Sequence, residues 1–322
     1  MNHMNRTNRV LLSIGDPNGI GPEIAVAAAT AVSPAPVLVG DRHVIADWAR
    51  HAGLRPREIT SPTAPTPGVL DLLAVDALPP DELRPGVVSA EAGAATVAYL
   101  DAAVAGLRAG IGDAIVACPH SETAINSAGI PFSGYPGLLA TLAEVPADEV
   151  FLLLIGGGLH IVHATLHERL ADALDRLTPP LVAAAARAAA GFLRTDRIGI
   201  CGINPHAGED GLFGDDDLRV TAPSVATLRA EGFTVTGPFG ADLLLAPERR
   251  SEDIAYVAMY HDQGHIPVKV LAGRNASAVT VGAGLAFSSV GHGAAFDIAG
   301  KGVADPSAVI SALRLMLGTA AP

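Results

Sequence analysis

Residues 10–32 read VLLSIGDPNGIGPEIAVAAATAV, and this stretch sets the pattern for the rest of the chain. Its first five residues, 10–14, form a short apolar run that predicts a buried strand. Residues 22–32 are rich in Ala and Val, and Pro22 suits the first position of a helix. The glycine-rich residues 15–23 connect the two segments. A strand, a tight loop and a helix in this order predict one unit of an α/β sheet.

The same alternation runs along the whole chain. Short apolar runs predict further strands at 37–39, 114–117, 150–155, 160–164, 198–203, 254–259 and 278–281. Segments with apolar residues at spacings of three and four predict helices at 43–52, 90–109, 168–177, 180–193, 222–231 and 306–317. The Pro-rich segment 60–86 is predicted to be loop or sheet edge. The fold class is therefore α/β with largely parallel sheets, and 322 residues predict about two domains.

Composition excludes several classes of partner. The net charge is −12 and no block of Lys and Arg occurs, which argues against nucleic acid or an anionic membrane. The apolar runs at 10–14 and 150–158 are too short for a signal peptide or a membrane span. Cys118 and Cys201 lie far apart, so a cytoplasmic protein without disulfides is expected. Cys118 is interpreted as a small buried residue, and the acidic run 215–217 as a solvated surface.

Three histidines stand just after predicted strands in polar segments: His167, His206 and His261. Neutral imidazoles at such positions are typical ligands of a divalent metal. Spacing alone leaves the commoner role open, that of an ordinary loop or capping histidine. His160 and His163 are assigned to the strand or to the cleft wall, because on a strand that runs into a helix they would not share a face with His167.

Lysine is rare in this chain. Of 21 basic residues only Lys269 and Lys301 are lysines. An amine can be brought to a working pKa whereas a guanidinium cannot, so Lys269, which ends YHDQGHIPVK, is predicted to be functional. An ordinary surface lysine is the alternative. Lys301 lies in GHGAAFDIAGKG (291–302), a glycine-rich loop that suits close approach of an adenosine or a pyrophosphate. The GxGxxG fingerprint of a standard dinucleotide-binding domain is missing.

Several motifs together resemble the 4-hydroxythreonine-4-phosphate dehydrogenase family. They are GDPNGIGPEI (15–24), NPHAGEDGLFG (204–214), GPFGAD (237–242), MYHDQGHIPVK (259–269) and HGAAFDIAGKGVADP (292–306). The resemblance implies two α/β/α domains around a cleft, as in isocitrate and isopropylmalate dehydrogenases. It places residues 1–130 with 270–322 in the first domain, on the cofactor side. Residues 131–269 form the second domain, which carries the metal histidines and the dimerisation surface. It further implies a homodimer with a shared active site.

The resemblance also assigns residues. It makes His167, His206 and His261 the metal ligands, with zinc expected and iron, cobalt, manganese or magnesium as alternatives. It places Lys269 in the substrate site and matches Asp242 to the Asp of the family's GPxPAD segment. Both residues are taken as catalytic. The NAD site is assigned to Gly291, His292, Gly293, Asp297 and Gly300.

The departures from the family pattern concern phosphate recognition. Where the family usually reads GHTE, residues 134–137 read GYPG, and a PINK-like segment has become PHSE at 119–122. The lysine of that segment is replaced by Glu122, and a later arginine by Phe287. Phosphate recognition needs charge-assisted donors, so these changes argue against a phosphorylated substrate. His120, Tyr135 and Phe287 are predicted to contact a flatter, more apolar ligand together with Lys269.

The same departures resemble the terephthalate cis-dihydrodiol dehydrogenase branch, through CPHSETAI (118–125), IVHATLHE (161–168) and SSVGHGAA (288–295). This branch implies NAD- and metal-dependent oxidative decarboxylation of the dicarboxylate 1,2-dihydroxy-3,5-cyclohexadiene-1,4-dicarboxylate to protocatechuate, carbon dioxide and NADH. His120 would contact the second carboxylate. One alternative is the parent activity on 4-phosphohydroxythreonine or a related phosphosugar acid. An alternative from another class is a non-catalytic metabolite-binding relative.

Overall fold

The computed structural model describes residues 9–132, 134–272, 276–290 and 292–318. The strands are β1 Val10–Ser13, β2 Val37–Gly40, β3 Arg55–Glu58, β4 Val69–Ala74, β5 Ala114–Ala117, β6 Phe151–Gly156, β7 Leu159–His163, β8 Arg197–Cys201, β9 Thr234–Phe239, β10 Ala255–Ala258, β11 Ser277–Gly282 and β12 Leu285–Ser289. The helices are α1 Gly21–Ala31, α2 Arg42–His51, α3 Ala90–Arg108, α4 Glu122–Ser127, α5 Tyr135–Leu142, α6 Leu170–Arg176, α7 Pro179–Leu193, α8 Ala222–Ala230, α9 Ala241–Leu244, α10 His261–Ala272 and α11 Ser307–Leu317. The predicted α/β class is confirmed.

The chain forms two compact units, Met1–Leu138 with Leu285–Pro322, and Leu139–Gly284. The predicted domain boundaries lay after residues 130 and 269. In the structure β11 is hydrogen-bonded to β6, which explains why residues 277–282 belong to the second unit. The cofactor and dimerisation roles assigned to the two domains stay predictions.

In the first unit six strands lie in the order β3-β4-β2-β1-β5-β12, and all neighbours are parallel. The central strands β1, β2 and β5 are buried along their whole length. Their continuous apolar sequences are typical of parallel strands that are covered on both faces. Helix α3 packs on β1, β2 and β5, and α11 packs on β5 and β12. The loops that follow β1, β5 and β12 leave the carboxyl ends of these neighbouring strands.

The second unit has the strand order β11-β6-β7-β10-β8-β9. Strand β6 is antiparallel to both of its neighbours, whereas β7, β10, β8 and β9 are mutually parallel. Helix α7 packs on β7 and β10, and α10 packs on β6, β7 and β10. The carboxyl ends of β7, β10 and β8 therefore share one edge, and in open α/β sheets ligands bind at that edge.

All eight predicted strands and all seven predicted helices are present, each within two residues of its expected ends. The prediction for residues 60–86 is wrong in part, since β4 lies inside the sheet between β2 and β3. Strand β4 carries a charge, Asp71, which is only 2% exposed. Arg9 pairs with it, at 2.6 Å between Arg9 Nη1 and Asp71 Oδ2. A distant partner of this kind makes a charged interior strand possible.

The YHDQGHIPVK segment, 260–269, is not among the predicted helices, yet it is mostly helix α10. Gly264 and Pro267 lie inside the helix, and both residue types disfavour a helix interior. Gly264 and Val268 are buried against the sheet. Packing therefore outweighs local preference here. Among the described residues, no helix is long and apolar enough to cross a membrane.

Candidate active site

Two of the predicted metal ligands lie together in the second unit. His167 follows the end of β7, and His261 begins α10 just after β10. Because β7 and β10 are adjacent and parallel, their carboxyl ends bring the two imidazoles to a ring-centroid distance of 5.5 Å. Burial, and next the neighbouring His261 ring, lowers the pKa of His167. A neutral imidazole with its lone pair available is the form that binds a metal.

His261 is oriented by the next residue. Its Nδ1 lies 2.7 Å from Oδ1 of Asp262, an oxygen that only accepts when the carboxyl is ionised. Nδ1 is therefore the donor, and in the neutral form of the ring the lone pair is on Nε2. In metal sites a carboxylate commonly holds one ring nitrogen of a ligating histidine and so orients the other nitrogen toward the metal.

Two further histidines adjoin this pair. His163, assigned from the sequence to the strand or cleft wall, is the last residue of β7, and its Nε2 lies 3.0 Å from Nδ1 of His265. Burial, and next the His265 ring, lowers the pKa of His163 to about 3. Burial, and next His261, lowers the pKa of His265 to about 4. Both rings are thus uncharged at neutral pH.

His206 lies in a left-handed turn. The backbone φ lies between 42° and 56° at four non-glycine residues, His206, Ala207, Glu209 and Asp210. Each such residue costs about 1–3 kcal/mol unless the surroundings hold it in place. Sparse backbone conformations of this kind concentrate at functional sites, so the turn itself marks the segment around His206 as a candidate site.

A buried aspartate holds this turn. Asp217 accepts hydrogen bonds from the backbone N–H groups of Ile203 and Asn204, at 2.8 and 2.9 Å, and from the Thr221 hydroxyl at 2.7 Å. The interpretation of residues 215–217 as a solvated surface is wrong for Asp217, which is 2% exposed. The signal was hidden because an acidic run looks alike in sequence whether its members face water or a loop backbone.

Gln263 is a second residue that the sequence did not single out. Its Oε1 accepts from the Met259 N–H and its Nε2 donates to the Gly202 carbonyl, both at 2.7 Å. One amide therefore links the first turn of α10 to the ends of β10 and β8. This linkage sets the His261 segment relative to the His206 segment.

The three predicted metal ligands and Asp242 line two neighbouring cavities. One, of about 670 Å³, is lined by His206 and Asp242 together with Asp262 and Gln263. The other, of about 350 Å³, is lined by His167 and His261. Tyr260 and Asp262 line both. Within the part of the chain that the structure describes, no three His, Cys, Asp or Glu side chains are grouped closely enough to hold a metal. The three-histidine site stays a prediction.

Lys269 is exposed and follows His261 and His265 at intervals of four residues along α10. Residues four apart lie on one face of a helix. The Lys269 charge is one of the smaller causes that lower the pKa of His265, so the ammonium is close to that ring. Lys269 is not among the residues that line the two cavities.

In the first unit the predicted substrate residues form one aromatic cluster. The His120, Phe132 and Tyr135 rings meet edge to face at centroid distances of 4.7 to 5.7 Å, and Phe287 lies 4.5 Å from Tyr135. The Tyr135 hydroxyl is 2.7 Å from Nδ1 of His120. Phe287 is only 1% exposed, so it packs behind the Tyr135 ring. Nε2 of His120 is buried with no hydrogen-bond partner among the described residues.

The two glycine-rich loops of the first unit pack against each other. The Ile20 N–H donates to the Ala294 carbonyl at 2.9 Å, and a Cβ at Gly19 would lie 2.7 Å from the Ala294 side chain. The buried Glu23 carboxylate accepts from the N–H groups of Gly302 and Ala304. The first loop, which also suits a plain tight turn, thus shapes the second. The loop holds the predicted NAD residues His292, Gly293, Asp297 and Gly300, whereas Gly291 lies outside the described residues.

Comparison with known proteins decides the family. Residues 33–316 match the family described as "Pyridoxal phosphate biosynthetic protein PdxA". The chain belongs to the PdxA family. A Comamonas sp. member named 1,2-dihydroxy-3,5-cyclohexadiene-1,4-dicarboxylate dehydrogenase is 44% identical over 314 residues, 96% of each chain. A D-threonate 4-phosphate dehydrogenase from Cupriavidus necator is 38% identical over 94% of each chain.

Solved structures of the PdxA family agree. A terephthalate 1,2-cis-dihydrodiol dehydrogenase from Burkholderia xenovorans LB400 is 52% identical, with a TM-score of 0.85 over 98% of this chain and 99% of that one. A 4-hydroxythreonine-4-phosphate dehydrogenase from Klebsiella pneumoniae is 32% identical, with a TM-score of 0.79 over 97% and 99%. The resemblance predicted from the motifs is confirmed, and the protein is a PdxA-family dehydrogenase.

Three substitutions that set this chain apart from the PdxA pattern fall in one place. Glu122 begins α4, Tyr135 begins α5, and Phe287 lies in β12 beside β5. The Glu122 charge acts on both His120 and Tyr135, which shows that these residues share one environment. Aromatic rings and a carboxylate therefore stand where the family pattern has a lysine, an arginine and a His-Thr pair.

Proposed function

We propose that this PdxA-family dehydrogenase oxidatively decarboxylates 1,2-dihydroxy-3,5-cyclohexadiene-1,4-dicarboxylate to protocatechuate, carbon dioxide and NADH. The observation that carries the proposal is the buried, unpartnered Nε2 of His120 inside an aromatic cluster. The names of the 44% and 52% identical relatives support the same substrate.

The hydrogen bond of Tyr135 defines what His120 offers. Burial raises the pKa of the Tyr135 hydroxyl, which therefore keeps its proton, and His120 Nδ1 faces that hydroxyl. We assign Tyr135 as the donor to Nδ1, which leaves the His120 proton on Nε2. A buried N–H without a partner costs about 1–3 kcal/mol, and a ligand oxygen removes that cost. The carboxylate at ring position 4 is the acceptor we assign to it.

A phosphate group fits this cluster poorly. Residues 119–137 contain no Lys or Arg, and Glu122 adds a negative charge beside His120. A dianionic phosphate needs charge-assisted donors, whereas a single carboxylate on a flat diene can combine one N–H donor with aromatic contacts.

The chemistry of the substrate defines the remaining tasks. Hydride leaves the carbon that bears the 2-hydroxyl while that hydroxyl loses its proton, which gives a ketone. The carboxylate on ring position 1 is β to this ketone, so carbon dioxide leaves and its bonding electrons form the enolate. With the two ring double bonds this enolate is already the phenolate of protocatechuate. Proton transfer is therefore needed only at oxygen.

We assign these tasks to residues of the second unit. His167, His206 and His261 would hold the divalent metal, which when bound stabilises negative charge on the reacting oxygen. The free Nε2 of His261 and the neutral His167 fit that role. Lys269 would accept the proton from the 2-hydroxyl in its neutral amine form, since an ammonium has no lone pair to take it. Asp242 lines the same cavity as His206 and would orient the groups that bind beside His206.

Residues 292–304 would hold NAD, which when bound would supply the hydride acceptor. The loop has small side chains and a backbone that Glu23 holds at Gly302 and Ala304, features that suit the close approach of a dinucleotide. His292, Gly293, Asp297 and Gly300 are exposed, as a binding surface requires.

We also infer a homodimer that uses the second unit. Leu212, Ile266 and Val270 are 72%, 58% and 76% exposed, and large exposed apolar side chains in one unit favour a subunit interface. Sedimentation of the purified enzyme is expected to give twice the 32.6 kDa chain mass, and a monomer at assay concentration would contradict the assignment.

The test is the product. Purified enzyme with NAD, a divalent metal and the dihydrodiol is expected to release NADH, carbon dioxide and protocatechuate in equal amounts. A chelator should stop turnover and added metal should restore it, while His206→Ala should not be rescued. Turnover that survives chelation would remove the metal from the account. A protein that forms no NADH with any substrate and holds no metal would be the non-catalytic relative.

A further inference from the structure

His163 contacts the Leu152 carbonyl and the His265 ring, and it has no role in the proposed reaction. It ends β7, it is 1% exposed, and its imidazole contacts both a backbone carbonyl and another histidine. Nδ1 of His163 lies 3.1 Å from the Leu152 carbonyl oxygen, and Nε2 lies 3.0 Å from Nδ1 of His265. Nδ1 of His265 also lies 3.2 Å from the His261 carbonyl oxygen.

These contacts have one consistent arrangement of protons. A carbonyl oxygen only accepts, so His163 Nδ1 must be the donor to Leu152. The neutral His163 ring then has a lone pair on Nε2, and His265 Nδ1 must donate to it. The same His265 N–H faces the His261 carbonyl, a second acceptor. His265 therefore carries its proton on Nδ1 and keeps Nε2 proton-free.

A glycine makes this approach possible. A Cβ at Gly264 would lie 2.4 Å from His163 Nε2 and 3.0 Å from the Ala258 side chain. Glycine inside a helix costs roughly 1 kcal/mol relative to alanine. The close contact with the His163 ring explains why glycine occupies position 264 near the start of α10.

The His265 ring in turn lies on His261. The two rings are stacked, with a centroid distance of 3.6 Å and an interplanar angle of 11°. Asp262 holds Nδ1 of the same His261 ring. The His261 plane is thus fixed from one side by a carboxylate and from the other by a ring that is anchored in the sheet.

We propose that His163 is a positioning residue that fixes the tautomer and ring plane of His265 and, through the stacked ring, the direction of His261 Nε2. The metal-binding role of His261 belongs to the proposed function. The tautomer of His265 is independent of it, because it exists in the enzyme without metal, NAD or substrate.

The test compares His163→Leu, which removes the acceptor, with His163→Gln, whose side-chain oxygen replaces Nε2. His160→Leu, on the other face of the same strand, is the matched control. Long-range proton–nitrogen spectra of the labelled, metal-free full chain should show His163 and His265 protonated at Nδ1. In the Leu variant only the His261 carbonyl, at 3.2 Å, is left to accept from His265 Nδ1, so the Nδ1 state should become partial, whereas the Gln variant and the control should keep it in full.

The second readout is metal affinity, measured by calorimetry with zinc or cobalt alone. The Leu variant is expected to bind about 10–100-fold more weakly than the control, the range typical for outer-shell partners. A wild-type His265 protonated at Nε2 overturns the proposal even if the Leu variant fails to fold. Equal metal affinity and an unchanged His265 tautomer in the Leu variant also overturn it. If the wild-type enzyme showed no turnover with the dihydrodiol, only the proposed function would be contradicted.

Discussion

The proton-transfer role assigned to Lys269 can be tested by a single substitution. It is one of two lysines, and it shares a helix face with His261 and His265. Lys269→Arg keeps the charge but replaces an amine that can exchange a proton by a guanidinium that cannot. We expect kcat to fall by at least about 100-fold, with unchanged thermal stability because the side chain is exposed.

Lys301→Arg makes the same exchange in the loop proposed to bind NAD, where Lys301 donates to the Asp297 carbonyl, so any effect there should fall on KM for NAD and not on kcat. Steady-state NADH formation by both variants decides the matter. If Lys269→Arg retained wild-type kcat, the amine would have no role in proton transfer.

Asp16 links a single residue to the pH dependence of stability. Its carboxyl is fully buried, Oδ2 has no partner among the described residues, and burial raises its pKa to about 6. The folded state therefore binds the proton more tightly than the unfolded chain, whose pKa is about 3.9. Stability from this group is present below about pH 4 and is lost as pH rises through about 6, a cost on the order of 3 kcal/mol.

Asp16→Asn removes this titration. Urea denaturation should show the variant more stable than the wild type at about pH 8, with the difference gone by about pH 4. A stability difference that is constant across this pH range would show that folding does not raise the pKa of Asp16.

At the scale of elements, the left-handed turn depends on Asp217. Asp217→Ala leaves two backbone N–H groups without their acceptor, whereas the Thr221 hydroxyl keeps the carbonyl oxygen of residue 217, so we expect a loss of about 3 kcal/mol in the free energy of unfolding. Weaker metal binding should accompany it, because His206 lies in the same turn. Denaturant titration and calorimetry measure the two effects.

Asp215→Ala is the matched control, because Asp215 is exposed and its ion-pair partner among the described residues is the exposed Arg219. Such a change is expected to stay within about 0.5 kcal/mol of the wild type. Equal effects at positions 215 and 217 would mean that the buried carboxylate does not hold the turn.

The elements also show where sequence reasoning stops. Strands such as β1 and β5 are predictable because their apolar runs are buried on both faces. Strand β4 escapes because Asp71 needs a partner, Arg9, that lies 62 residues away. Helix α10 escapes because Gly264 serves a contact with His163 that no local pattern records.

At the scale of the whole molecule, motifs predict the family better than they predict geometry. NPHAGEDG and YHDQGHIPVK identify the PdxA family, yet Asp217 and Gln263, which fix those two segments, belong to no expected site. Their roles come from hydrogen bonds across the fold, which a single sequence does not display. Substitutions such as Phe287 were informative because a lost charge has a chemical meaning without any coordinates.

The substrate assignment is tested by the ratio of kcat/KM for the dihydrodiol dicarboxylate to kcat/KM for 4-phosphohydroxythreonine, followed through NADH formation at equal concentrations of metal and NAD. We expect a ratio of at least about 100, because the buried His120 donor and the aromatic cluster suit the dihydrodiol dicarboxylate. The phosphate of the other substrate finds no Lys or Arg side chain in residues 119–137. Faster turnover of the phosphorylated substrate would contradict it.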